Sequence, residues 1–177
     1  MMDQSKPILP TAIGAPIWRY AALVVLIVGP LLWILSLDPI AQNTEYHSFA
    51  DTRMFFGIPN FLDVATNLPF LLIGLVGLRF CFRAQVGAIR SAWIVLFVGV
   101  GLVSVGSAYY HWNPNNESLV WDRLPMTIGF MGLVVALLGE YLGNRVAALL
   151  LIPALVLGLA TVVYWHFSND LRPYYWV

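Results

Sequence analysis

Apolar residues run in five long blocks, and most of the charge lies in the stretches between and beside them. The blocks cover residues 18–37, 60–80, 91–110, 122–142 and 146–167. Each matches the roughly 20 residues of helix that cross a bilayer. The block at 91–110 carries no charge, and the block at 60–80 has Asp63 near its start. No period-two alternation marks a strand, and a helix satisfies its own backbone groups in lipid. The pattern predicts an all-α membrane protein, a bundle of five transmembrane helices. The first block is longer than a signal-peptide core, and no small-x-small site follows Leu37, so it reads as an anchor that stays in the protein. Residues 1–17 are then an N-terminal tail and 18–177 a single transmembrane domain.

Composition narrows the class further. Charged residues make up 10% of the chain, well below the roughly 25% of a soluble domain. Nine Lys and Arg balance nine Asp and Glu, which leaves no cationic excess for phosphates and argues against a nucleic-acid partner. The single cysteine, Cys81, excludes an intramolecular disulfide and a thiolate zinc cluster.

The cations set an expected orientation. With the N-terminus in the cytoplasm, Lys6, Arg19, Arg79, Arg83, Arg90 and Arg145 face inward, and Arg53, Arg123 and Arg172 face out. This split favours a cytoplasmic N-terminus and an outer C-terminus. Acids contribute little to topology, yet seven of the nine fall on the outer side, which calls for another explanation. Aromatics near the block ends, among them Trp18, Tyr20, Tyr109, Tyr110, Trp112, Trp121, Tyr164, Trp165 and the run 174–176, read as an interfacial belt. The pair Gly139 and Gly143, four apart, fits a close helix contact.

The candidate chemistry gathers on the same outer side. His47, His111 and His166 all fall there. Ser107 and His111 are four apart and share one helix face. Asp122 opens the next block, so an antiparallel hairpin can return its carboxylate to that face. An imidazole, a hydroxyl and a carboxylate are parts of a metal-activated hydrolase site or of a serine nucleophile site. Plain readings stand beside these. Ser107 can bond back to the Val103 carbonyl, Asp122 can be an N-cap with Pro125 in the first turn, and His111 can be an interfacial tip. Asn67 reads as a cross-helix hydrogen bonder. Asp170 and Arg172 suit an interfacial ion pair, and Pro173 marks a helix start. An apolar ending just after that signal reads as a chain that continues.

These residues resemble the alkaline ceramidase family, within the CREST superfamily of membrane hydrolases. The matching stretches are Gly57-Ile-Pro-Asn60-Phe-Leu-Asp-Val-Ala-Thr-Asn67-Leu-Pro-Phe70, Gly106-Ser-Ala-Tyr-Tyr-His111 and Asp122-Arg-Leu-Pro-Met126. The closing stretch, from Tyr164-Trp-His166 to Asp170-Leu-Arg-Pro173, is similar to the bacterial branch, which implies a bacterial inner membrane. The resemblance implies a seven-helix zinc amidase that cleaves the N-acyl bond of ceramides or similar lipid amides. It implies His111 as a zinc ligand, Ser107 at the zinc water and oxyanion, and Asp122 as the base that then acts as acid. The family's other two zinc histidines form an H-x-x-x-H pair on its last helix, a pair this chain lacks. The resemblance therefore implies the first four family helices, preceded by one extra helix, and an incomplete zinc site. His47 and His166 are the histidines left to complete it. Asn60 stands where calcium-binding members carry Glu, so calcium is not expected. The rival to a hydrolase is a non-enzymatic membrane protein, such as a partner-binding subunit. Neither the true substrate nor the oligomeric state follows from the sequence.

Overall fold

The computed structural model of the chain describes residues 16–83 and 89–177. The expected tail, 1–17, lies outside the described residues except for its last two. Five spans in the described residues are long and apolar enough to cross a membrane. They are α1 (Ile17–Leu35), the pair α2 (Phe61–Ala65) and α3 (Leu68–Arg83), α4 (Arg90–Trp112), α5 (Asn116–Leu142) and α6 (Asn144–Ser168). A short α7 (Arg172–Trp176) follows, with Pro173 in its first turn as the helix-start signal implied. Among the described residues the only strand-like feature is a single bridge between Phe55 and Ile58. The five-helix, all-α reading is the architecture found.

Two helix boundaries differ from the sequence pattern, each for a local reason. The block at 60–80 is broken between α2 and α3. Pro69 has no N–H to offer the Ala65 carbonyl, so the helical ladder lapses there. Asn67 fills the break, donating from Nδ2 to the Asp63 carbonyl at 2.7 Å. Asn67 is buried as expected of an inward residue, but its hydrogen bonds stay within its own segment instead of crossing to another helix.

The fourth span starts at Asn116, ahead of Asp122. A capping box drives this early start. The Asn115 side chain accepts from the Ser118 N–H at 2.9 Å, and the Ser118 hydroxyl accepts from the Asn115 N–H at 3.2 Å. Asp122 is therefore nearly two turns inside α5 and is not an N-cap. Pro125 likewise lies in the helix interior, not its first turn.

That interior proline shapes the hairpin. Its missing N–H leaves the Trp121 carbonyl without a helical donor. Against this carbonyl α4 presents Gly106: a Cβ there would lie 2.0 Å from the Trp121 oxygen. Gly99 makes a second close approach, where a Cβ would lie 2.3 Å from the Gly129 nitrogen. Small residues let helix backbones touch in this way. The contact matters for chemistry, because the residues after Gly106 and Trp121 are Ser107 and Asp122. Gly106→Ala is expected to splay the hairpin and cost about 1–3 kcal/mol. Thermal unfolding in detergent checks this, and an unshifted melting curve would contradict it.

The pair Gly139 and Gly143 is not one contact face. Gly139 packs on Ala147 and Ile89, whereas Gly143, at φ 106°, forms the turn between α5 and α6. The aromatic belt is also partly corrected. Trp18, Tyr109, Trp112, Trp121, Tyr164 and Tyr175 are exposed, but Tyr110 and Trp165 are fully buried. With Leu119, Val162 and Leu171 they form a packed core at one end of the bundle.

Hydrogen bonds join the α1 end to the C-terminal segment. The Leu171 N–H donates to the Ile40 carbonyl at 2.8 Å, and the Ile40 N–H donates to Asp170 at 3.3 Å. Arg172 donates to the Leu35 and Leu37 carbonyls at 3.1 and 2.6 Å, and pairs with Asp170 at 2.8 Å. The Trp176 indole donates to the Ile27 carbonyl at 2.9 Å. The expected Asp170–Arg172 ion pair is thus the centre of a latch. The Arg172 guanidinium holds the Asp170 carboxyl down at about 2, from an ordinary 3.8. A carboxylate depressed by folding stabilises the fold above its unfolded pKa and loses that effect as pH falls toward the folded value. The melting temperature is therefore expected to fall between about pH 4 and pH 2, with a flatter profile in Asp170→Asn. Parallel profiles for the two proteins would contradict the latch.

Candidate active site

The α4–α5 hairpin brings Ser107, His111 and Asp122 together. Ser107 and Asp122 are both buried, at 7% and 8% exposure. The Ser107 hydroxyl and the His111 ring both lie near the Asp122 carboxylate. Among the described residues Ser107 makes no bond back to Val103, unlike Ser104, Thr127 and Thr161, which each donate to the carbonyl three residues earlier. Its hydroxyl is therefore left available on the side of the hairpin that faces Asp122.

His111 is held from above. The Phe49 ring lies 4.6 Å from it, centre to centre and tilted by 44°, and Asn60 donates to the His111 carbonyl at 2.8 Å. Asn60, in the left-handed region at φ 49°, thereby ties the start of α2 to the end of α4. The imidazole Nδ1 is buried and has no hydrogen-bond partner. Buried polar atoms in native folds are rarely left unpaired. A lone imidazole nitrogen of this kind suits a metal ligand.

The ligand set stops there. Among the described residues no group of three or more His, Cys, Asp or Glu could hold a metal ion. His47 has both ring nitrogens engaged, with the Tyr110 hydroxyl and with Asn116, each at 2.9 Å. His166 stands 3.9 Å from the exposed Glu117. Neither joins His111, so among the described residues His111 stands near Asp122 with no further histidine beside it. Asp51, one of the outer acids, pairs with Arg53 and accepts from the Leu62 N–H at 3.1 Å. Arg53 holds its carboxyl below the usual range.

From sequence Arg123 counts only toward the outer side of the membrane; the structure adds a role in packing. It is buried at 5% exposure beside Asp122. Its guanidinium stacks 4.0 Å from the centre of Trp165 and 4.7 Å from that of Tyr174, and donates to Gln42 at 2.7 Å. Its adjacency to Asp122 and the aromatic clusters at 164–165 and 174–176 were the available signal.

Residues 54–173 match the profile of the family described as Ceramidase. The match covers more than half of the chain, and the protein belongs to the ceramidase family. It starts after α1, within the connection to α2, and it includes Asn67, Ser107, His111, Asp122 and Arg123. No curated protein and no solved structure gives a match.

Proposed function

We propose that this chain is a ceramidase-type hydrolase of the N-acyl bond in a membrane lipid amide, and that the α4–α5 hairpin carries its reacting groups. The observation that supports this reading is the burial of Ser107 and Asp122 side by side near a His111 nitrogen that has no partner among the described residues. His111 would hold a zinc ion, which when bound supplies Lewis acidity at the amide carbonyl and at water. Asp122 accepts the proton of the attacking water and returns it to the amine that leaves. Ser107 would orient the ionised carboxylate by donating its O–H to it; once Asp122 has taken the water proton, Asp122 donates to the Ser107 oxygen and the Ser107 O–H is free for the negative charge on the carbonyl oxygen. The cation split supports a cytoplasmic N-terminus with this end of the bundle on the outer side, and the resemblance to the bacterial branch supports an inner membrane.

One observation favours the non-enzymatic reading: the described residues contain no three-ligand group. The two readings differ in a direct assay. Purified chain in lipid bilayers, with zinc added in excess, is expected to release fatty acid and amine base from a ceramide. His111→Ala should remove both the zinc response and the release. No release at any zinc concentration from folded protein would leave the non-enzymatic reading standing.

A further inference from the structure

Residues 54–58 form a tight turn just before α2. Phe55 and Ile58 exchange two backbone hydrogen bonds, at 3.1 and 2.9 Å, around Phe56 and Gly57. Both central residues are left-handed, at φ 52° and 77°. Such a turn favours Asn or Gly at these positions. A bulky side chain at positive φ is uncommon and strained. Yet Phe56 is 85% exposed, with the ring centres of Phe55 and Phe61 at 4.2 and 6.4 Å from its own. Met54 and Phe55 are exposed as well. In water this arrangement would hold strain and apolar surface with no return.

The surroundings supply the return. The turn lies three residues before Phe61, where a membrane span begins. No charged residue occurs from Met54 to Leu62. The charges just before it are neutralised, since Arg53 pairs with Asp51 and Asp51 caps the Leu62 N–H. The tip can therefore enter the boundary between headgroups and acyl chains without carrying a charge inward. Burying a Phe side chain in the acyl boundary is favourable and offsets the strain at Phe56.

We propose that the turn at residues 54–58 is a membrane wedge, with Met54, Phe55 and Phe56 seated in the interfacial layer of the leaflet at the His111 end of the bundle. Its partner is the lipid surface itself. Through Asn60, which donates to the His111 carbonyl, the wedge fixes the depth of that end of α4 in the bilayer. This reading stands on the span at α2–α3 and holds whether or not the chain hydrolyses an amide.

Nitroxide accessibility tests it. Cys81 is the only cysteine, so Cys81→Ala gives a clean background. Phe56→Cys is spin-labelled in phosphatidylcholine vesicles, with Val76→Cys on the exposed face of α3 as the lipid reference and Glu45→Cys as the aqueous reference. Collision with oxygen relative to a nickel chelate is expected to be several-fold higher at position 56 than at 45, and close to that at 76. Met54→Cys should behave as Phe56→Cys does, which guards against a local effect of one substitution. A nickel-dominated signal at both tip positions would overturn the wedge. So would low collision with both reagents, which would mean that protein covers the tip.

Discussion

Asp122→Asn is expected to lower lipid-amide hydrolysis by about 10²–10⁴-fold, the range for loss of a positioned general base. The substitution keeps size and hydrogen-bonding shape, so the Ser107 hydroxyl still has an acceptor. Melting temperature should change little, and the loss should appear in kcat more than in KM, because the group acts on the proton in flight and not on bound lipid. Ser107→Ala is expected to fall less far, since it orients and assists. An Asp122→Asn protein with full turnover would remove the base from this site.

The second large effect is on stability, at Arg123. Its guanidinium is buried between Trp165 and Tyr174 and bonded to Gln42. Desolvated cation–π contacts contribute about 2 kcal/mol or more, and a hydrogen bond from a charged donor about 1.5–3 kcal/mol. Desolvating the charge offsets part of this. Arg123→Ala is expected to cost about 2–4 kcal/mol, and to raise protease cutting next to Gln42, whose side chain loses its partner while its N–H stays bonded to Asn169 and residues 35–40 stay latched. Arg123→Lys should recover only part, since an ammonium has no planar face to stack on two rings. Unfolding free energy in micelles and protease cutting before Glu45 read the two effects. An alanine variant as stable and as resistant as the parent would contradict the account of this cluster.

The spans were legible because hydropathy over a bilayer's thickness is a coarse and additive signal. Ser107, His111 and Asp122 were legible because helical spacing and a short hairpin loop constrain them tightly. What the sequence hid was set by single backbone groups. The capping box at Asn115 and Ser118 moved the start of α5, and Pro69 split the second span. Pro125 freed the Trp121 carbonyl, and Gly106 packed there. Hydropathy averages over such effects. The burial of Arg123 was hidden for a related reason: its aromatic partners come from α6 and α7, more than 40 residues away in the chain. The latch around Asp170 was half visible: the ion pair could be read locally, but its bonds to residues 35–40 span the whole chain.

The central claim is that His111 stands as a metal-holding corner beside Asp122 and Ser107. X-ray absorption at the zinc edge of the zinc-loaded chain tests it most directly. The account predicts one imidazole at roughly 2.0–2.1 Å with oxygen ligands filling the shell, and loss of the imidazole signature in His111→Ala. A shell with three imidazoles, or one unchanged in His111→Ala, would contradict it.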